Sequence, residues 1–469
     1  MRAISLLIPL AAMSDPAAAD SAYLDPSFGT GGIVEIGWAA GPARANAVAP
    51  DVLGRVVVGG RAPGIRGNDD FALFRLSSAG ALDTNFAADG GGFRLVDFDL
   101  DGVGDESADA INDVAVLGDG SAIALGEAHF GFAAVNSQYA LVKVDATGDL
   151  DAAFGNGGSV HFGFANFGNI DQGTRLALAA SGRLLVTGTT VEHFAVNTRL
   201  EYWVGSTRLT PDGLLDPDFV PGRQALTFWG DPGPPPRHSK MNLPFALGVD
   251  ALGRIVVAGA ASDPIAQVAA LFRLQADGDF DFTFGEYSRA QIDLAQAVAS
   301  ALLPVADGKM LVAGGWGPSP PVAQLFLARL DDDGALDPTF GAGGFGTLQM
   351  PAGFPLPSLI LPRSQGGWFV AGPLTDGVEY ANVAVVVAAF DADGNPDATF
   401  GQGGIAIVEI PDGRAFDAVR VVAQPGGKLL AAGGLTGPEP GATEHFAVLR
   451  IVVDEHVFAN GFDRLLAAR

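Results

Sequence analysis

One short pattern returns through almost the whole chain, and its spacing limits the fold more than any other feature. A segment of the form Leu-Asp-x-x-Phe-Gly recurs as LDPSFGTGG, LDTNFAADG, LDAAFGNGG, LDPDFVPG, FDFTFGEY, LDPTFGAGG and PDATFGQGG. Its aspartates are Asp25, Asp83, Asp151, Asp216, Asp281, Asp337 and Asp397, at spacings of 58, 68, 65, 65, 56 and 60 residues, 62 on average. A fixed period of this length means one supersecondary unit stacked on copies of itself. Length alone would allow two or three domains in 469 residues. Seven motifs heading seven units speak instead for one domain over residues 20–453.

Each unit has the same internal order. After the Phe-Gly turn comes a short extended run, such as GGIVEI (residues 31–36) or GGIAIVEI (residues 403–410). Two apolar runs then flank a glycine turn, as in AVAPDVLGRVVVGG, LGVDALGRIVVAG and LPVADGKMLVAGG. A last run, such as FALFRL, YALVKV or FAVLRI, turns through a glycine into the next motif. Glycine supplies the positive-φ corners of tight hairpins, and β-branched flanks favour strands. The 65 glycines of this chain are twice the usual ~7% share. Runs such as RVVV (residues 55–58) and VAVVVAA (residues 383–389) are apolar on both faces, and such a strand is covered on both. The pattern predicts an all-β protein, a seven-bladed β-propeller with about four antiparallel strands in each ~62-residue blade. A linear solenoid has shorter, near-identical rungs and does not fit a four-strand unit.

The pairing of L-D-x-x-F-G-x-G-G with A-x-x-x-x-G-[KR]-[IL]-x-V-x-G and F-A-L-x-R-L-x-x-D-G resembles the delta-60 repeat proteins. The resemblance covers roughly residues 22–453. It implies a bacterial, exported, propeller-like chain and brings no catalytic residues with it. Departures are local: the motif of Asp216 ends in DFVPG rather than in Phe-Gly, and the sixth unit has Ala389 where others have Arg or Lys.

Two regularities bear on how the units join. A cation precedes the repeat aspartate by eight residues in Arg75/Asp83, Lys143/Asp151, Arg208/Asp216, Arg273/Asp281 and Arg329/Asp337. A repeated structural ion pair across a turn explains this better than a basic ring. The seventh unit ends in FAVLRI without a motif of its own, while LDPSFG at residues 24–29 has no strand before it. The N-terminal segment is therefore expected to pair with the last blade and close the ring, with Arg450 opposite Asp25.

The termini and the charge set the setting. Residues 1–19 read as a signal peptide: Arg2, an eleven-residue apolar run, Pro16, then small residues. That predicts a secreted, periplasmic or cell-surface bacterial protein, with residues 454–469 as a C-terminal tail. No cysteine is present, which removes disulfides and thiolate chemistry. A net charge of −26 argues against nucleic-acid partners. No apolar run reaches the length of a membrane span, and the expected state is a monomer.

Chemistry is sparse. The six histidines form no H-E-x-x-H, and neither a G-x-S-x-G elbow nor a phosphate loop occurs. Residues 97–109 stand out as DFDLDGVGDESAD, placed by the repeat between the first and second strands of the second unit. Alternating carboxylates in a sharp turn suit calcium, with Asp97, Asp99, Asp101, Val103 and Asp105 as its candidate ligands. The loop WGDPGPPPRHSKMN makes Trp229, Arg237, His238 and Lys240 a candidate partner contact, the one basic projection of an acidic chain. The reading that follows is a non-enzymatic binding, adhesion or scaffold module for an extracellular glycan or protein. The alternative is a polysaccharide- or lactone-acting hydrolase or lyase with an axial active site.

Overall fold

The computed structural model describes residues 23–453, except 99, 101–107, 131–135, 165–169, 180, 195–198, 221–224, 228–240, 263–266, 318–322, 352, 365, 376–381, 412–413 and 440. The regular structure among them is strand, interrupted only by short turns such as Ala88–Gly90. Consecutive strands pair antiparallel into four-stranded meanders. The first contains Arg44–Pro50, Val56–Pro63, Asp69–Leu76 and Phe93–Val96, in that spatial order. The same order recurs over residues 241–292 and 298–349. Residues 110–162 and 170–227 hold two further meanders, joined by one parallel bridge between Ile170 and Ser137. In residues 354–408 the first strand is split into Phe354–Pro355 and Leu359–Pro362. The last sheet orders Ala415–Gln424, Lys428–Thr436 and Glu444–Val452, and its fourth strand is Ile33–Ile36 from the other end of the chain. Meanders are numbered one to seven below, in chain order of their first strands.

The meander is out of phase with the sequence repeat. The repeat places the short run after each motif at the head of its own unit. Instead Phe93–Val96 pairs with Asp69–Leu76 and forms the outer edge of the meander before it. Residues 97–109 therefore join the outermost strand of meander one to the innermost of meander two, not two strands of one unit. The turn is the reason. The bridge between Leu76 and Leu82, and the Asp83 N–H donating to the Arg75 carbonyl at 2.8 Å, fold the motif back on the strand it follows. What comes next can only extend the same sheet.

Strands are apolar on both faces because each face meets a different neighbour. Val56 and Val58 pack toward meander seven, whereas Val57 packs toward meander two. Val385, Val387 and Ala389 face meander seven, and Val386, Ala388 and Phe390 face meander five. Each consecutive pair of meanders shares such a cluster. A further cluster joins the first to the last through Phe28, Val56, Phe74, Leu430 and Phe446. Outer strands such as Ile33–Ile36 and Ser159–Phe162 are only four residues long, which limits exposed sheet edge. The innermost strands carry a β-bulge, for example at Asn46, Asn112, Thr174 and Ser300. A bulge bends its strand and re-aims its side chains.

Candidate functional site

Antiparallel order gives the molecule two unlike ends. At one, the turn end, lie the connections from first to second and from third to fourth strand. At the other, the loop end, lie those from second to third strand and from each meander to the next.

The turn end is built from the repeat. Arg75 Nη2 pairs with Asp83 Oδ2 at 2.7 Å, and Lys143 with Asp151 at 2.9 Å. Arg208–Asp216 and Arg273–Asp281 lie at 2.6 Å, and Arg329–Asp337 at 2.7 Å. Arg450 Nε donates to Asp25 Oδ2 at 2.8 Å, across the chain ends as expected. Where meander six has Ala389, Arg363 comes from a different strand end and reaches Asp397 at 2.7 Å. Each guanidinium of the eight-residue pairs lies over its motif phenylalanine, as Arg273 over Phe284 at 4.6 Å, and Arg450 lies over Phe28 in the same way at 4.4 Å.

These motifs then hook the following meander. The Gly29 N–H donates to the Ala79 carbonyl at 2.8 Å, Ala87 to Thr147 at 2.6 Å and Gly341 to Asp393 at 2.6 Å. Gly80, next to that acceptor, has φ 85°, and a Cβ there would stand 2.7 Å from the Gly29 nitrogen. Burial would raise the Asp25 carboxyl, but hydrogen bonds from Lys428 and Ser27 and the charge of Arg450 hold it well below the usual range. The pairs are a structural clip.

The loop end gathers polar groups from several meanders that the repeat does not share. Arg44 Nη1 contacts Asp417 and lies 3.4 Å from Glu444 Oε1, joining meanders one and seven. Arg61 Nη1 pairs with Asp69 at 2.6 Å. On the second strand of meander two, Glu127 and His129 share a face; Glu127 Oε2 and His129 Nδ1 are buried without hydrogen-bond partners. Burial pushes the Glu127 carboxyl up, against the pull of His129, Gln172 and Arg61. Burial also raises Glu444, opposed by Arg44 and Arg61. Arg420 of meander seven reaches Asp113 Oδ2 of meander two at 3.4 Å. Burial and the neighbouring Arg420 both disfavour the Arg175 charge there. Bulge residues tie neighbours together: Asn46 Nδ2 donates to the Ile111 carbonyl at 2.9 Å and Asn112 Nδ2 to Gly173 at 3.0 Å.

Residues 54–86, 253–284 and 306–340 match the family described as a domain of unknown function (DUF5122) beta-propeller. The fold is a β-propeller. Each matched stretch ends on a motif phenylalanine, Phe86, Phe284 or Phe340, so the signature covers the second and third strands and the clip that follows them. No curated protein matches the chain. Among solved structures, puromycin hydrolase is 13% identical at a TM-score of 0.45, covering 89% of this chain and 54% of that one. This chain thus spans about half the length of that hydrolase. A mutant of NanB sialidase from Streptococcus pneumoniae is 9% identical at a TM-score of 0.41, covering 90% of this chain and 70% of that one. A catalytically inactive virginiamycin B lyase from Staphylococcus aureus is 10% identical at a TM-score of 0.34, covering 88% and 87%.

The propeller treats the residues singled out by sequence unequally. Of the candidate calcium ligands, Asp97 is described and lies 3.5 Å from Arg66 Nε. Asp99, Asp101, Val103 and Asp105 lie outside the described residues, as do Trp229, Arg237, His238, Lys240, residues 1–19 and residues 454–469. Among the described residues no group of three or more His, Asp or Glu is arranged for a metal, and no helix is long and apolar enough to cross a membrane. A cavity of about 480 Å³ lies between the outer strands of meanders five and six, lined by Tyr23, Thr347, Gln349 and Gln402 without a charged group. Sequence reasoning missed Arg61 and Glu127. Their signal was a charge directly after an apolar run and glycine, in VVVGGR and AIALGE.

Proposed function

We propose that this chain is an exported, monomeric, closed seven-bladed propeller that binds a hydroxyl-rich ligand of the glycan class at the loop-end mouth of its axis, without turning it over. Closure by the N-terminal segment is supported by the pairing of Ile33–Ile36 with Glu444–Val452 and by the shared cluster of first and last meanders. The observation that carries the binding reading is Glu127: one buried carboxyl oxygen lacks a hydrogen-bond partner, in a carboxyl acted on by Arg61, His129, Asn112 and Gln172 from three meanders. Buried polar groups are normally hydrogen-bonded, and vicinal hydroxyls offer both donors and acceptors to such a set. The hydrolase or lyase reading is favoured by one feature, the raised carboxyls of Glu127 and Glu444, which suit proton donation.

A glycan array run beside a turnover assay, in calcium and in chelator, tests both. Retention of a glycan by the wild type, lost in Arg61→Ala and Glu127→Gln without turnover, is the expected result. Turnover abolished by Glu127→Gln would replace binding with catalysis. Binding untouched by both substitutions would remove the axial site. Dependence on calcium that vanishes in Asp99→Ala would add the acidic loop to it.

A further inference from the structure

We infer that the turn end of meander four is a docking surface for a cationic, amphipathic segment of another protein. The inference goes beyond the axial ligand and rests on how one motif departs from its sister copies. Where they carry Leu or Pro before the aspartate, this copy has Phe280, and where they carry Pro, Thr or Ala after it, this copy has Phe282. Sister copies close their turns with Gly-Gly pairs, such as Gly31–Gly32, Gly157–Gly158, Gly343–Gly344 and Gly403–Gly404, all at positive φ. Here Tyr287 and Ser288 stand in that place, at φ 53° and 68°.

Left-handed backbone strains any residue with a Cβ, and such strain tends to persist where a site uses it. Nothing lies within 4 Å of a Cβ built at Gly31, Gly157, Gly343 or Gly403. A side chain at this position accordingly stands in solvent, and Tyr287 is 61% exposed. Phe282 is 70% exposed, its ring 6.2 Å from that of Phe280, and Leu252 on the same meander's other turn is 72% exposed. Clustered exposed aromatics are what stable, soluble surfaces avoid and what interaction surfaces keep. The clip beneath, Arg273 with Asp281 and Phe284, is fully buried and holds the turn rigid.

Charge selects the partner. Asp277, Asp279 and Glu286 are exposed in the same turn, on a chain of net charge −26. Carboxylates beside open aromatic faces suit Lys and Arg, whose charges pair with the acids and lie over the rings. The partner's apolar side chains would cover Phe282 and Leu252.

The probe is a fluorescent peptide of alternating lysine and leucine titrated into the full chain. A glutamate–leucine peptide and a neutral oligosaccharide serve as comparators. The wild type should bind the lysine–leucine peptide, and Phe282→Ala and Tyr287→Gly should each weaken it at least about tenfold. Neither substitution alters net charge, so general attraction to an acidic protein would survive both. Tyr287→Gly should melt no lower than the wild type, because glycine suits left-handed backbone; lost binding is then separate from lost folding. Equal peptide binding by all three proteins would overturn the inference, and so would preference for the glutamate–leucine peptide or the oligosaccharide.

Discussion

The two ends of this propeller solve opposite problems with the same strands. At the turn end an aspartate, a cation, a phenylalanine and a glycine recur with little variation, and each cation pairs with its repeat aspartate. At the loop end little repeats: Arg44, Arg61, Glu127 and Arg420 have no counterparts at the matching places of most other meanders. There, burial has been imposed on carboxyls that lack full hydrogen bonding, notably Asp70, Glu127 and Asp171. The contrast teaches where stability is held and where it is given up. Repetition marks the fastening, and departure from repetition marks the places where buried polar groups lack full hydrogen bonding.

The largest expected effect tests whether the fastening is one system. Deleting residues 20–32 removes Leu24, Asp25 and Phe28, the clip that joins meanders seven and one. Phe28 alone buries roughly 2–3 kcal/mol of apolar contact. Scanning calorimetry should show the whole chain melting in one transition at lower temperature. A truncation that melts like the full chain would mean that the ends are dispensable.

Single substitutions sharpen the comparison. Arg273 and Asp281 are both 0% exposed, so Arg273→Ala leaves the buried Asp281 carboxylate with only Arg254, at 3.9 Å, and the Thr283 hydrogen bonds, and should cost about 3 kcal/mol in urea unfolding. Arg61, at the loop end, is 38% exposed in its pair with Asp69. Its replacement by alanine should cost no more than about 1 kcal/mol. Similar losses at both positions would break the division of labour.

The response to pH has opposite signs at the two ends. Burial, reinforced by Asp97, raises the Asp70 carboxyl to about 6. The folded state therefore holds that proton more tightly than the unfolded chain, and stability falls as pH rises between about 4 and 6. Asp70→Asn removes this penalty and should stabilise the protein by about 2 kcal/mol at pH 8. It should do almost nothing at pH 4. The clip carboxyls behave in reverse: Asp25 and Asp337 are depressed, so their contribution is present above about pH 4 and is lost as pH falls toward their folded values. Melting curves from pH 3 to 8 on both proteins check the sign.

Much of the turn end was legible in the sequence. The eight-residue spacing named the ion pairs, and the orphan Arg450 and Asp25 named the contact between chain ends. The phase of the sheets was not legible, because Phe93–Val96 has the same composition whether it leads one unit or closes another. Arg363 was hidden too, since it substitutes for a missing cation from another strand and outside the eight-residue register. Of the axial groups, Glu127, Arg61 and Arg420 leave only a lone charge after an apolar run.

What the sequence determined by itself is the repeat: its period, its strands apolar on both faces, and the local turn in which Asp, Arg, Phe and Gly meet. All of these are interactions within some ten residues, and short-range geometry follows from residue order. Only the tertiary structure decided which meander each short strand completes, and which charges meet at the axis. Arg420 and Asp113, or Arg44 and Asp417, are some three hundred residues or more apart in the chain. Their meeting depends on the rotation of each meander against the next, which no local spacing records.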